Sequence, residues 1–129
     1  MALNIHEIGR RKKSVSRTWL TQGKGSIKVN DIDYDKYFDT LLTRKTVVAP
    51  LKLSGKEKAF DINILVQGGG LVGQAQAIRL SIARALVTFD EKLKPVMRKN
   101  GFLTVDSRVK ERKKYGQKGA RAKFQFVKR

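Results

Sequence analysis

Apolar residues recur along this chain with two different periods. A period of two is clearest at Phe60-Asp-Ile-Asn-Ile-Leu-Val-Gln67, which puts Phe60, Ile62, Ile64 and Val66 on one face of a strand. A helical period runs from Leu71 to Phe89, with Leu71, Ala75, Ile78, Ile82, Ala85, Leu86 and Phe89 in one stripe. Upstream, Val15 to Thr21 is rich in β-branched and aromatic residues and reads as a strand. Gly23-Lys24-Gly25 is a turn, and the alternation of Ser26-Ile-Lys-Val-Asn30 predicts a second arm returning beside that strand as a hairpin. If Val15 and Trp19 face the core, the stem of Arg17 does too, unless its charge reaches outward. Leu3, Ile5 and Ile8 suggest a further short strand at the start. Tyr34, Tyr37 and Phe38 gather on one helical turn after the Asn30-Asp31 turn. Thr40 caps a helix reaching Ala49, with Leu41, Leu42, Val47 and Val48 apolar, and Pro50 ends or kinks it. Asp90 opens a shorter helix that stops at Asn100-Gly101, and Phe102 to Val105 supplies a last apolar run, read as a strand. Together these elements predict a mixed α+β domain whose sheet is covered by helices on one face.

Charge changes the picture. Among 129 residues, 29 Lys and Arg stand against 11 Asp and Glu, a net charge of +18 with a pI near 10.6. Such an excess repels itself unless an anion surrounds it, and nucleic acid is the natural counter-charge. The excess is concentrated at the ends. Residues 1–30 hold seven basic residues and one acid, residues 31–107 twelve and nine, and residues 108–129 ten and one. The division predicts a globular domain over 1–107 and an extended basic tail over 108–129.

Several classes of chemistry are excluded by composition. There is no cysteine, hence no disulfide scaffold, no thiolate metal site and no Cys nucleophile, and a single His6 excludes a multi-histidine metal site. His6 itself reads as structural or superficial. Asp31, Asp33, Asp35 and Asp39 lie close together, but without the calcium-loop spacing and its terminal Glu, so turn and cap chemistry explains them. No apolar run is long enough to span a bilayer, and the start MALNIHEIG has no apolar leader, which predicts a protein that stays in the compartment where it is made. A membrane-surface protein would carry a basic amphipathic helix, which Gly116 and Gly119 interrupt in the tail.

Gly68-Gly69-Gly70-Leu71-Val72-Gly73 contains G-x-G-x-x-G between a strand and a helix. A dinucleotide enzyme would need a second parallel strand ending in an acid, whereas Asp90-Glu91 open a helical segment, and a phosphate-binding Walker loop would need Lys-Ser/Thr where Gln74 stands. Two readings remain open. The glycines permit a tight turn or close backbone contact, or Gly69, Gly70 and Gln74 at the helix start receive an RNA phosphate. No other catalytic constellation is present; no enzyme activity, cofactor or metal is expected.

Gly9-Arg10-Arg11-Lys12-Lys13 puts four cations in a row between two strand candidates, and Arg17 follows. Adjacent cations on a short connection are unfavourable without an anion, so Arg10, Arg11, Lys12, Lys13 and Arg17 are candidate phosphate contacts. Arg79 and Arg84 project from the long helix, either as contacts or as its solvent face. In the tail, Arg108, Arg112, Lys113, Lys114, Lys118, Arg121 and Lys123 recur every few residues, with Tyr115, Phe124 and Phe126 interleaved. An extended chain threaded between RNA strands uses this pattern, cations on phosphates and rings on bases. A free-standing RNA chaperone or nucleic-acid-binding module is the alternative to a component of a larger ribonucleoprotein.

Three features occur together in order: Gly9-Arg-Arg-Lys-Lys-Ser-Val15, the segment Gln67-Gly-Gly-Gly-Leu-Val-Gly-Gln-Ala-Gln-Ala-Ile-Arg79 with its helix, and Glu111-Arg-Lys-Lys-Tyr-Gly116 leading to Phe124-Gln-Phe-Val-Lys-Arg129. In these, the chain closely resembles the bacterial-type ribosomal protein nine family of the small subunit, over essentially its whole length. The resemblance implies an α+β fold, a mixed sheet with a left-handed βαβ crossover. It also implies binding of 16S-type rRNA in the 3′ major domain of the subunit head, beside neighbouring head proteins, in the cytoplasmic ribosome. It further implies a tail that reaches the anticodon stem-loop of P-site tRNA, with Arg129 as terminal contact and Lys128 beside it. A guanidinium suits that role, because it pairs directionally with phosphate. Gln117, Gly119 and Ala122 stand where the family often has a basic residue, Val105 replaces a usual Arg and Val127 a usual Ser, which implies fewer phosphate contacts along the tail.

Overall fold

The computed structural model describes residues 4–56 and 58–103. In chain order it contains strands β1 (Asn4–Arg11), β2 (Ser14–Gln22), β3 (Ile27–Val29) and β4 (Ile32–Asp33). Helices α1 (Tyr34–Tyr37) and α2 (Leu41–Ser54) follow, then strand β5 (Phe60–Gln67), helix α3 (Leu71–Phe89), a 3-10 turn over Glu91–Leu93 and helix α4 (Lys94–Lys99). The strands form one mixed sheet in the order β1-β2-β5-β3-β4. β1–β2, β2–β5 and β3–β4 pair antiparallel, and β3 runs parallel to β5 through a crossover that carries α1 and α2. The sequence-based boundary at residue 107 and the extended tail of 108–129 lie outside the described residues, as do the last two positions of the apolar run 102–105; residues 101–103 form a turn.

The expected hairpin between the second and third strands does not form. β2 pairs instead with β1, across the Lys12-Lys13 turn, and with β5, which inserts between β2 and β3. Asp61 at the start of β5 holds the connection that makes this possible. Its Oδ1 accepts the backbone N–H groups of Lys24 at 3.0 Å and Ser26 at 3.1 Å. Those bonds, led by the one from Ser26, keep the Asp61 carboxyl below its ordinary range. The link over 23–26 thus crosses the end of β5, a span of about 10 Å at sheet spacing, which four residues cover easily.

Strand β5 takes the central place because its inner face is continuously apolar. Phe60, Ile62, Ile64 and Val66 are buried with Leu20, Ile27 and Val29 from its neighbours. Across the interface stand Ala75, Ile78, Ile82 and Leu86 of α3 and Val47 and Leu51 of α2, and Phe38 and Met97 are buried in the same core. Each large side chain so buried contributes about 1.5–3 kcal/mol. Thr40 caps α2 as expected, its hydroxyl accepting from the Thr43 N–H, but the helix does not stop near Pro50. It continues to Ser54 and closes on Gly55 at φ 71°. Pro50 cannot donate to the carbonyl one turn back; Val47, Pro50 and Leu51 are buried together, and this packing keeps the helix continuous.

The inward side of β2 reverses the apolar reading of that strand. Ser14, Ser16, Thr18 and Leu20 face the helices, and Val15, Arg17 and Trp19 lie on the opposite face. The reason is close approach of α3. A Cβ on Gly9 would stand 2.2 Å from the Ala77 carbonyl and 2.6 Å from the Ser81 amide, so only small residues fit under this part of the helix. The buried hydroxyls are satisfied there. Ser81 donates to the Ile78 carbonyl at 2.8 Å, and its Oγ lies 3.1 Å from that of Ser16 and 2.6 Å from that of Thr18.

Candidate nucleic-acid interface

The basic turn and the glycine segment, widely separated in sequence, form one concavity. β1 and β2 are joined by Lys12 and Lys13, both exposed, with Lys12 at φ 55°. Directly after the turn, the Ser14 hydroxyl donates to the Gly68 carbonyl at 2.9 Å, across 54 residues of sequence. Gly68 and Gly69 adopt φ 81° and 65°, the left-handed region. A Cβ on Gly68 would lie 2.3 Å from the Lys13 carbonyl, and one on Gly69 would lie 2.3 Å from Ser14 Oγ. Both glycines are therefore required by conformation and by space. Gly70 differs, because a Cβ there would meet nothing within 4 Å.

A cavity of about 480 Å³ opens between these parts, lined by Lys12, Lys13, Ser14, Gly69, Gly70, Val72 and Gly73. Gly70 is the N-cap of α3, no side chain caps the helix, and its first backbone bond runs from the Gln74 N–H to the Gly70 carbonyl. The amides of residues 71–73 thus precede the intrahelical ladder and supply the partial positive charge of a helix start. Two ammonium groups and a helix N-terminus meet at a cavity without a carboxylate in its lining. That is an arrangement for a phosphate.

The other predicted residues divide. Gln74 is buried, its Oε1 accepting from the Tyr37 hydroxyl at 2.7 Å and its Nε2 donating to the Gly68 carbonyl at 3.1 Å. Its amide is therefore turned inward and holds the glycine loop in shape. Arg11 Nε donates to Gln76 Oε1 at 2.6 Å, tying the end of β1 to α3. Arg10 and Arg17 sit on the opposite face of the sheet, away from the cavity, as their pairing with Val15 and Ile8 requires. Arg79 is partly buried and lies 5.2 Å from the centre of the Phe102 ring. Burial pulls its guanidinium below the ordinary value, and it remains charged at neutral pH. Arg84 Nη1 donates to the Ile8 carbonyl at 2.7 Å. The long helix thus spends its arginines on anchoring β1 and the segment after α4. Arg108, Arg112, Lys113, Lys114, Tyr115, Lys118, Arg121, Lys123, Lys128 and Arg129 lie outside the described residues. Sequence reasoning missed Ser14. Its only signal was a small hydroxyl residue between a cationic turn and a strand.

Comparison with known proteins gives matches along nearly the whole chain. The family model described as ribosomal protein S9/S16 matches residues 9–129. The chain is 53% identical to the small ribosomal subunit protein uS9 of Cytophaga hutchinsonii, over 97% of this chain and 98% of that one. It is 50% identical to the uS9 protein of Christiangramia forsetii over the same shares, and 49% identical to that of Chlorobaculum parvum over 97% of each chain. With a family model that covers residues 9–129 and relatives that match it nearly end to end, the chain belongs to the ribosomal protein S9/S16 family.

Proposed function

We propose that the chain is a structural constituent of the small ribosomal subunit in the cytoplasmic ribosome, that it docks on 16S-type rRNA of the subunit head through the Lys12–Lys13 turn and the start of α3, and that Lys128 and Arg129 contact P-site tRNA. The observation that carries the docking surface is the meeting of Lys12, Lys13 and the uncapped start of α3 at one acid-free cavity. Family membership supports the ribosomal setting, and the +18 charge supports a polyanionic partner. Catalysis plays no part in this reading. The globular part supplies position, and the tail, 108–129, follows RNA phosphates toward the tRNA.

The test is incorporation. Subunits assembled with the Lys12→Ala/Lys13→Ala double variant, separated on sucrose gradients, contain less of the protein than wild type. Normal incorporation shows those charges to be mere surface. Deletion of Lys128 and Arg129 leaves incorporation intact and weakens P-site tRNA binding; unchanged tRNA affinity removes the tail assignment. A wild-type chain that sediments free of small subunits favours the alternative of a separate RNA chaperone.

A further inference from the structure

The sheet face turned away from the helices carries an assembly that the cavity does not use. His6 and Trp19, cross-strand partners on β1 and β2, stack with ring centroids 4.6 Å apart and planes 21° apart. The same cross-strand row continues through Asn63 of β5 to Lys28 of β3. The next row holds Ile8, Arg17 and Leu65, and the one after it Arg10, Val15 and Gln67. Among these, His6, Arg10, Arg17, Lys28, Asn63, Leu65 and Gln67 are exposed, Leu65 at 50%. A shallow cavity of about 270 Å³ opens beside Val15, Arg17, Asn30, Leu65 and Gln67. The three rows contain three cations, Arg10, Arg17 and Lys28, and one carboxylate, Asp33 of β4, which pairs across from Lys28 at the edge of the sheet.

An open sheet bearing a flat aromatic pair, flanked by cations and amide side chains, matches the needs of one ligand class. Unpaired RNA bases stack on aromatic rings, their phosphates pair with Arg and Lys, and Asn or Gln side chains reach base edges. A protein partner of complementary charge would meet the same cations, but the stacked rings of exposed His6 and half-buried Trp19 offer a surface for a planar ring. We propose that this face is a second RNA-binding surface that takes an unpaired nucleotide, its base against the His6–Trp19 stack and its phosphates at Arg17 and Lys28. The proposal rests on the chain meeting RNA, but its residues lie on the opposite side of the sheet from the Lys12–Lys13 cavity.

Trp19 is the only tryptophan, so its emission reports on this face alone. The full chain is titrated with an end-labelled single-stranded oligoadenylate of about twelve nucleotides, long enough to span such a face, and with an RNA duplex of equal length. Label anisotropy follows total binding while Trp19 emission follows the sheet. The expected result is quenching by the single strand and little change with the duplex, whose bases are already stacked. His6→Ala and Trp19→Ala each weaken single-strand binding by about 5-fold or more. Arg17→Ala and Lys28→Ala each lower the salt slope by about 0.7. The Lys12→Ala/Lys13→Ala variant keeps the quenching, so failure at one surface is told from failure at the other. Full binding with unchanged Trp19 emission, or equal quenching by duplex, overturns the proposal. In assembled subunits, a photo-crosslinking amino acid replacing Leu65 attaches to an unpaired rRNA nucleotide; attachment to a neighbouring protein overturns it in favour of a protein contact.

Discussion

The Ser14 hydroxyl donates to the carbonyl of Gly68 at 2.9 Å and so fastens the cationic turn to the loop that opens the long helix. The Gly68 carbonyl also accepts from Gln74, so the bond is one of two that hold the loop. Ser14→Ala removes one donor without leaving that carbonyl bare, and unfolding in urea registers a loss of about 1 kcal/mol. RNA affinity falls further than stability does, because the turn no longer holds Lys12 and Lys13 over the helix start. Equal affinity for wild type and variant would show that the turn keeps its place without Ser14.

The glycines of the loop separate structure from binding. Gly69→Ala places a Cβ 2.3 Å from Ser14 Oγ on a backbone at φ 65°, and destabilises the fold by about 1–3 kcal/mol. Gly70→Ser meets open space at φ −97° and puts a capping hydroxyl at the N-cap of α3. Its stability rises by a few tenths of a kcal/mol, roughly the gain of Ser over Gly at that position. RNA binding weakens, since the new hydroxyl competes for the same amides. Thermal melts and RNA titration therefore move in opposite directions for Gly70→Ser, and parallel movement would dismiss the helix start as a phosphate site.

Beneath the sheet, Ser81 is the shared partner of two buried hydroxyls. Ser81→Ala strands Ser16 and Thr18 in the interior and lowers stability by about 1–3 kcal/mol. Combining it with Ser16→Ala and Thr18→Val recovers part of the loss, because the orphaned groups leave with their partner. Chemical denaturation of the single and triple variants checks this; a triple variant less stable than Ser81→Ala would show that packing shape dominates.

Asp61 gives the fold an acid-sensitive tie. Its folded pKa lies below the ordinary carboxylate value, so its contribution is complete above that ordinary value and disappears as pH falls through the lower folded one. Asp61→Asn is expected to be less stable than wild type near pH 7, and the difference to close in strong acid. Urea midpoints measured across that range decide it, and a difference that persists in acid would assign the loss to packing against Gly23, whose Cβ would stand 2.1 Å from the carboxylate.

Where a segment's period was decided by its own burial, reading it from sequence succeeded. Phe60–Gln67 and Leu71–Phe89 came out with the predicted bounds, because each presents a continuous apolar face to one core. The Thr40 cap, the Asp90 cap and the aromatic turn at Tyr34–Tyr37 were legible for the same local reason. β2 misled, since Val15 and Trp19 look like core residues while Ser16 and Thr18 do not. The inward set is polar because α3 passes too close for larger side chains, a fact held by Gly9 and Ser81 rather than by β2. In the candidate site, Lys12, Lys13, Gly69 and Gly70 were recognisable as types, whereas the inward turn of Gln74 and the anchoring roles of Arg11, Arg79 and Arg84 depend on partners far along the chain.

Sequence alone determined the α+β composition, the concentration of charge at both ends and the resemblance to a ribosomal family, because periodicity, net charge and ordered motifs are properties of the linear chain. Tertiary structure decided the strand order, the division of the basic cluster between two sides of the sheet and the union of Lys12–Lys13 with the start of α3. Those depend on β5 entering between β2 and β3, a long-range pairing that sheet hydrogen bonds and the shared core select and that no local pattern encodes.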